Sequence, residues 1–344
     1  MRRPTSSPEH RPVWRLLVFA LVTLAGIAGW VALAGQGAVR YTGVARVELP
    51  LPAAPAWPVD GTPPRGAVAI EAGALDPSLT EDGPFGPLPR IGPDGRRPFF
   101  EYARPFNFED TRPKVAVLLL GLGLQAELFD AALALPGPIS LQLSPYAPDL
   151  PALIERARGA GHEVLLELPM EPADYPASDP GPHTLRADGS GADNLKRLDW
   201  LLAQAPGYIA LAGGGARFAA SDHAGDVLDV LARRGLALIE LGASQLAGAA
   251  AAAGLPYVSA PRAIDQDPSV QSIDDALAAL EAEALAGGSA LGVVQGYPVS
   301  LERLLAWAAT LEDKGLVLAP VSAVLIEQAG LAPGADAWPA RRRA

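Results

Sequence analysis

The sequence predicts a parallel α/β barrel, and three observations carry that prediction. From Lys114 onward an apolar, strand-like run alternates with an amphipathic, helix-like run, about eight times over about 215 residues. Several strand candidates are continuous apolar runs, VAVLLL from Val115 among them, as parallel strands covered on both faces should be. Glycines stand where helix candidates stop and strands begin, at Gly159/Gly161, Gly235, Gly254, Gly287/Gly288 and Gly315. An open doubly wound sheet is the second architecture that fits the same alternation.

The elements before the barrel come from composition and charge. The chain has 344 residues, 49% apolar and 19% charged, which is the profile of a globular protein. A net charge of −11 argues against nucleic acid as a partner, because neutralising phosphates takes clustered Lys and Arg. With no Cys, disulfides, thiolate metal sites and a Cys nucleophile are excluded. Residues 1–15 are a basic N-terminus expected in the cytoplasm, holding Arg2, Arg3, Arg11 and Arg15. Residues 16–34, LLVFALVTLAGIAGWVALA, form an uncharged run long enough to cross a bilayer. The flanking arginines orient everything after it outward. The Ala32-Leu33-Ala34 tripeptide also fits a cleavable signal, so anchor and signal peptide both stand, and either exports the body of the chain.

Residues 35–113 change character: Pro recurs every few residues and periodicity is lost. This reads as an extended, semi-rigid spacer, whose aromatic end (Phe99, Phe100, Tyr102, Phe106, Phe108) is expected to pack against the next domain. Residues 114–329 form the globular domain and 330–344 a tail ending in Arg341–Arg343. Strands are expected at 115–120, 139–143, 163–168, 208–212, 236–240, 256–259, 290–294 and 316–320. Helices are expected at 125–134, 150–160, 192–204, 222–233, 245–253, 273–286, 301–312 and 321–328.

The first strand–helix junction, Gly121-x-Gly123-x-x-Ala126, has the form of a dinucleotide-binding loop. The acid that should hold a ribose about twenty residues later is missing, since the second strand ends Leu141-Gln142-Leu143-Ser144-Pro145. A tight turn using glycine for close packing explains the loop better.

Further along, Gly161-His162-Glu163-Val164-Leu165-Leu166-Glu167-Leu168-Pro169-Met170-Glu171-Pro172 leads to Tyr175-Pro176 and Asp179-Pro180-Gly181-Pro182-His183-Thr184-Leu185. Ala216-Arg217-Phe218, Ile264-Asp265-x-Asp267-Pro268, Tyr297-Pro298-Val299-Ser300 and Ala319-Pro320-Val321-Ser322-Ala323 follow. In this order and spacing the chain resembles the divergent polysaccharide deacetylase family of bacterial envelope proteins, over residues 114–327. The resemblance implies an irregular parallel (β/α)7-8 barrel of the glycoside hydrolase/deacetylase type. In active relatives an Asp pair ends the first strand. One acts as base on a metal-bound water, the other helps histidines hold the metal, and the ion polarises the acetyl carbonyl.

Here the reagents are missing. The Asp pair's positions are Leu120 and Gly121, and the histidine before Leu-Pro-Met is Glu167. The Asn/His-rich stretch after the fourth strand is Ala212-Gly213-Gly214-Gly215, the Asp at the fifth strand's end is Glu240, and the His-Pro of the seventh is replaced around Gln295-Gly296-Tyr297. Leu cannot ligate a cation or take a proton. The expectation is therefore a pseudoenzyme linked by resemblance to carbohydrate metabolism, with no metal and no cofactor.

Among the polar groups that remain, Glu167 and Glu240 could face one cavity as an acid/base or cation pair, or could bond loop backbone. Arg217, His183, Asp179, Tyr297 and Asp265 are candidates for ligand contact. Arg217 could instead pair with Glu240 or Asp265, and Tyr146, Tyr175 and Tyr297 offer faces for sugar rings. His162 and His223 read as structural. The expected partners are an envelope glycan or a periplasmic protein, with the bacterial inner membrane reached through one pass. The alternative is a working metal-dependent deacetylase whose ligands have moved to Glu167, Glu240 and Asp265.

Overall fold

The computed structural model describes residues 75–243, 245–260 and 263–331, all within one compact unit, Asp60–Ala344. The expected N-terminus, the span at 16–34, the first half of the spacer and nearly all of the tail lie outside the described residues. Among the described residues no helix is long and apolar enough to cross a membrane.

The domain is a nearly closed parallel barrel. Seven strands follow one another round it: β3 (Lys114–Leu122), β4 (Ser140–Leu143), β5 (Val164–Glu167), β6 (Ala210–Gly213), β7 (Ala237–Leu241), β8 (Tyr257–Ala260) and β9 (Ser289–Val294). The first and last of these pair along six residues. The remaining gap, between β8 and β9, is spanned by a single parallel bridge, Ala263 to Val293. The order runs round without the reversal of a doubly wound sheet, which excludes that architecture. The expected eighth strand shrinks to β10 (Val317–Leu318), paired with the start of β3.

Helices cover the outside: α2 (Ala126–Leu133), α3 (Leu150–Gly159), α4 (Gly191–Leu202), α5 (Ala216–Ala219), α6 (Ala224–Arg233), α7 (Ala247–Ala253), α8 (Val270–Gly287) and α9 (Pro298–Ala308). Local chemistry sets their ends. Ser190 and Ser269 accept from backbone amides three residues on and so start α4 and α8. Gly254 and Gly288 close α7 and α8 at φ 63° and 85°, where a side chain is disfavoured.

The strands divide cleanly by parity. Val115, Val117 and Leu119 face the helices, whereas Ala116, Leu118 and Leu120 face inward. The barrel's interior is filled by α10 (Val321–Gln328), whose Val321, Val324, Leu325 and Ile326 are wholly or almost wholly buried against that inner lining. Burying those four side chains is worth roughly 6–12 kcal/mol at ~1.5–3 kcal/mol each.

The spacer reading needs correcting from Leu75 on. Strands β1 (Thr80–Gly83) and β2 (Gly86–Pro89) form an antiparallel hairpin, followed by α1 (Pro98–Glu101). Leu79, Phe99, Tyr102 and Ala103 join the inner cluster. The expected packing of the aromatic end is met at Phe99 and Tyr102. Pro98 opens α1, where its missing amide costs nothing, and Pro89 ends β2.

One buried carboxylate ties these parts together. Glu163, fully buried, accepts from the hydroxyls of Ser140 (2.7 Å) and Ser322 (2.6 Å) and from the amides of Ser322 (2.9 Å) and Arg104 (3.3 Å). Ser140 Oγ in turn accepts from the Val321 amide at 3.0 Å, so the first two amides of α10 are satisfied from β4 and the residue before β5. Glu163→Ala leaves these donors buried without an acceptor, at about 1–3 kcal/mol each. We expect a loss of about 3 kcal/mol or more in urea unfolding, with Glu163→Gln recovering part of it; an unchanged midpoint for Glu163→Ala would contradict this account of the plug.

Candidate functional site

The residues singled out from the sequence gather at or near the C-terminal ends of the strands, where barrel proteins build their sites. At the end of β3, Leu120 points inward and is 5% exposed. Gly121 follows at φ 70°, exposed, with no atom within 4 Å of where a Cβ would stand. Its amide donates to Gln142 Oε1 at 3.1 Å, and Gln142 Nε2 donates to the Ala212 carbonyl at 2.8 Å. Gln142, buried on β4, thus stitches the end of β3 to β6 with a neutral amide. Its significance was not readable from the sequence, because an inward Gln on a strand covered on both faces has no pattern to mark it.

Glu167 and Glu240 do not meet. Glu167 pairs in register with Ala212, which pairs with Ile239, and this row faces inward. Glu240 sits on the next row, pointing out. Its carboxylate accepts from the amides of Gln245 (3.1 Å) and Leu246 (3.0 Å) and from the Tyr257 hydroxyl, organising the turn into α7. Asp265 accepts from the Gln295 amide at 2.9 and 3.0 Å and from the Ser300 hydroxyl at 2.7 Å, which fixes the start of α9. The relocated ligand set of Glu167, Glu240 and Asp265 is therefore not assembled. Among the described residues no group of three His, Asp or Glu side chains is placed to hold a metal ion. The residues present do not fit the divalent ion that the resemblance implies.

Arg217 pairs with neither expected acid. Its Nη1 lies 2.8 Å from Oε1 of the fully buried Glu171. The reason is local: the Phe218 amide donates to the Glu171 carbonyl at 3.1 Å, which lays α5 over the loop after β5. Glu171 also accepts from the Ala187 amide at 2.6 Å. It lies within the Leu-Pro-Met-Glu-Pro motif, the one signal that could have marked it.

His183 lies flat on Trp200, ring centroids 3.6 Å apart at 2°, with Tyr146 beyond at 6.4 Å. Burial and the nearby Arg197 push its pKa down, favouring the neutral ring. Asp179 accepts from the Gly181 amide at 2.9 Å, a turn contact. Trp200, on α4, was not singled out from the sequence. Tyr175 carries Arg186 over its ring at 4.8 Å, and Tyr297, 45% exposed, stands free at the start of α9. His162 is buried with Nδ1 2.7 Å from the Ile139 carbonyl, the structural role expected of it.

The run Gly213-Gly214-Gly215 explains what replaced the Asn/His-rich stretch. A Cβ on Gly213 would stand 2.1 Å from the Leu168 carbonyl oxygen, one on Gly214 2.3 Å from that of Leu241, and one on Gly215 2.4 Å from Met170 Cβ. Backbone has closed in where ligand side chains would need room. Gly123 belongs to the same kind of packing, its Cβ position being 2.7 Å from Ala147 Cβ, which supports the tight turn over the dinucleotide loop.

A nearly closed parallel α/β barrel, with its singled-out residues at the C-terminal ends of the strands, defines the fold class. The chain belongs to the divergent polysaccharide deacetylase family, whose model matches residues 117–325. Among solved structures it is similar to an uncharacterized protein from Agrobacterium tumefaciens C58, with 32% identity and a TM-score of 0.67, over 70% of this chain and 99% of that one. A family 4 carbohydrate esterase from Streptomyces lividans, solved with acetate, shares 15% identity at a TM-score of 0.36, over 61% of this chain and 92% of its own. No curated protein matches the chain.

Burial raises the pKa of Glu167, with the Ser144 hydroxyl working against it. A carboxyl raised on folding binds protons more tightly in the native state. Its unfavourable contribution is absent below the unfolded pKa, grows as pH rises from there and is fully present above the folded one. Glu167→Gln is therefore expected to raise the melting temperature at pH 7 relative to its effect at pH 4; an equal shift at both would remove the burial account.

Proposed function

We propose that this protein is a non-hydrolytic member of its family, exported and held to the bacterial inner membrane by residues 16–34, whose barrel rim binds an envelope glycan. One observation carries the proposal: Glu171, Glu240 and Asp265 are each bonded to neighbouring donors, which leaves Glu167 as the inward carboxyl at the end of β5. One carboxyl cannot hold a cation and activate its water. It can hydrogen-bond a sugar hydroxyl, and the half-exposed Arg217 and the open face of Tyr297 add a donor and a stacking surface. The relocated-ligand deacetylase is disfavoured by the outward side of Glu240 and by the bonds of Asp265.

A second reading, a protein partner at the same rim, is favoured by Leu124 and Tyr297. They are 60% and 45% exposed on the loops after the paired strands β3 and β9. The test is acetate release from acetylated chito-oligosaccharides by the purified chain with Zn²⁺ or Co²⁺, together with retention on an envelope glycan column. We expect release no higher than without protein, and glycan retention weakened in Tyr297→Ala. Strong metal-dependent release abolished by Glu167→Gln would sink the proposal; retention of a periplasmic protein but no glycan would favour the second reading.

A further inference from the structure

A cleft of about 550 Å³ lies well away from the rim, between the β1–β2 hairpin, α4 and α6. Its cationic residues are Arg90, Arg233 and Arg234, its acids are Glu81 and Asp199, and Ile91, Leu195 and Val230 give it apolar wall. Arg233 and Arg234 stand where α6 ends and β7 is about to begin, on the opposite end of the barrel from the strand ends discussed above.

The charges do not cancel. Arg234 Nη1 donates to Glu81 Oε1 at 2.9 Å and to the Pro89 carbonyl at 2.9 Å, while its Nη2 is 3.8 Å from Asp199. Both acids of the cleft are thus turned to one arginine. Arg90 donates its Nε to the neutral Ser78 carbonyl and makes no ion pair among the described residues. Arg233 makes no ion pair among the described residues and is exposed. The Nε of Arg234 is buried without an acceptor. A desolvated guanidinium donor left over beside two uncompensated guanidinium groups is what an oxyanion site supplies before its ligand arrives.

We propose that this cleft is a second ligand site, taking a small oxyanion carried on an apolar or sugar body. The sum of three arginines against two acids is one positive charge, which suits an anion of one or two charges, a carboxylate or a phosphate monoester, rather than a polyanion. The body rests on Ile91, Leu195 and Val230, and the volume suits a single sugar ring or a molecule of that size. Glu81, Arg90 and Ile91 precede the family match at 117–325, so the site exists only because the hairpin segment docks on the barrel.

Calorimetric titration of the full chain at low ionic strength tests the proposal with glucuronate, glucose 6-phosphate and, as a charge-free control, glucose. We expect saturable binding of at least one of the two anions and none of glucose; which anion binds separates the carboxylate from the phosphate source. Arg233→Ala should weaken that binding roughly tenfold, the scale of one charge-assisted hydrogen bond, with Arg233→Lys in between. Glu167→Gln, at the rim, should leave it unchanged, so failure here is distinct from failure of the glycan reading. No saturable binding of either anion, equal binding of glucose, or binding indifferent to Arg233→Ala overturns the proposal.

Discussion

The closure of this barrel depends on a charge buried where none should survive alone. A carboxylate out of water costs several kcal/mol unless donors surround it, and Glu163 collects four. Those donors come from β4, from the segment before β3, and from α10, which is 159 residues further along. The carboxylate therefore fixes the plug helix under the strands that precede it. With that end pinned, α10 can present Val321, Val324, Leu325 and Ile326 to the inner lining instead of lying on the surface. At the opposite end of the barrel, Glu240 and Asp265 gather neighbouring donors in the loops that lead into α7 and α9.

Most of the architecture could be read from the sequence because it is written in local chemistry. Continuous β-branched and leucine runs became strands, serines and glycines bounded helices, and the expected helix at 321–328 is the observed one. The eighth strand was overread because its apolar run ends in Pro320, which lacks an amide for a ladder and instead precedes a helix. The hairpin before the barrel was missed because Pro-rich sequence carries no periodicity, and its fold comes from burial against residues far away. Tertiary contacts made Leu79 a core residue, and nothing near it in sequence says so.

The site was legible in position and not in orientation. Strands covered on both faces lack the alternation that would tell inside from outside. On β7, Leu238 and Ile239 are both buried, so a reader of the sequence cannot know that Glu240 shares the outer row with the first of them. The same blindness hid Gln142, which faces in, and let Asp265 pass as a ligand when it bonds the Gln295 amide and the Ser300 hydroxyl near the start of α9. Acids at strand ends are ambiguous by nature, since the amides that open each following helix attract a carboxylate as well as any cation does. The membership of the family was nevertheless carried by motif order, which does not depend on facing.

That ambiguity resolves once backbone clearances are considered together with the side chains. Replacing an acid pair by Leu120 and Gly121 could by itself be a small change, reversible by two substitutions. The glycines after β6 make it more than that. With carbonyl oxygens of Leu168 and Leu241 at 2.1 and 2.3 Å from the places where side chains would begin, no imidazole or amide can project from Gly213 or Gly214 without moving two loops. Gln142 then occupies the polar role left at the centre, bonding the Gly121 amide and the Ala212 carbonyl with groups that cannot ionise. Ligand loss, loop closure and neutral replacement reinforce one another. The mouth thus differs at three levels at once: in its side chains, in its backbone clearances and in its buried polar contacts.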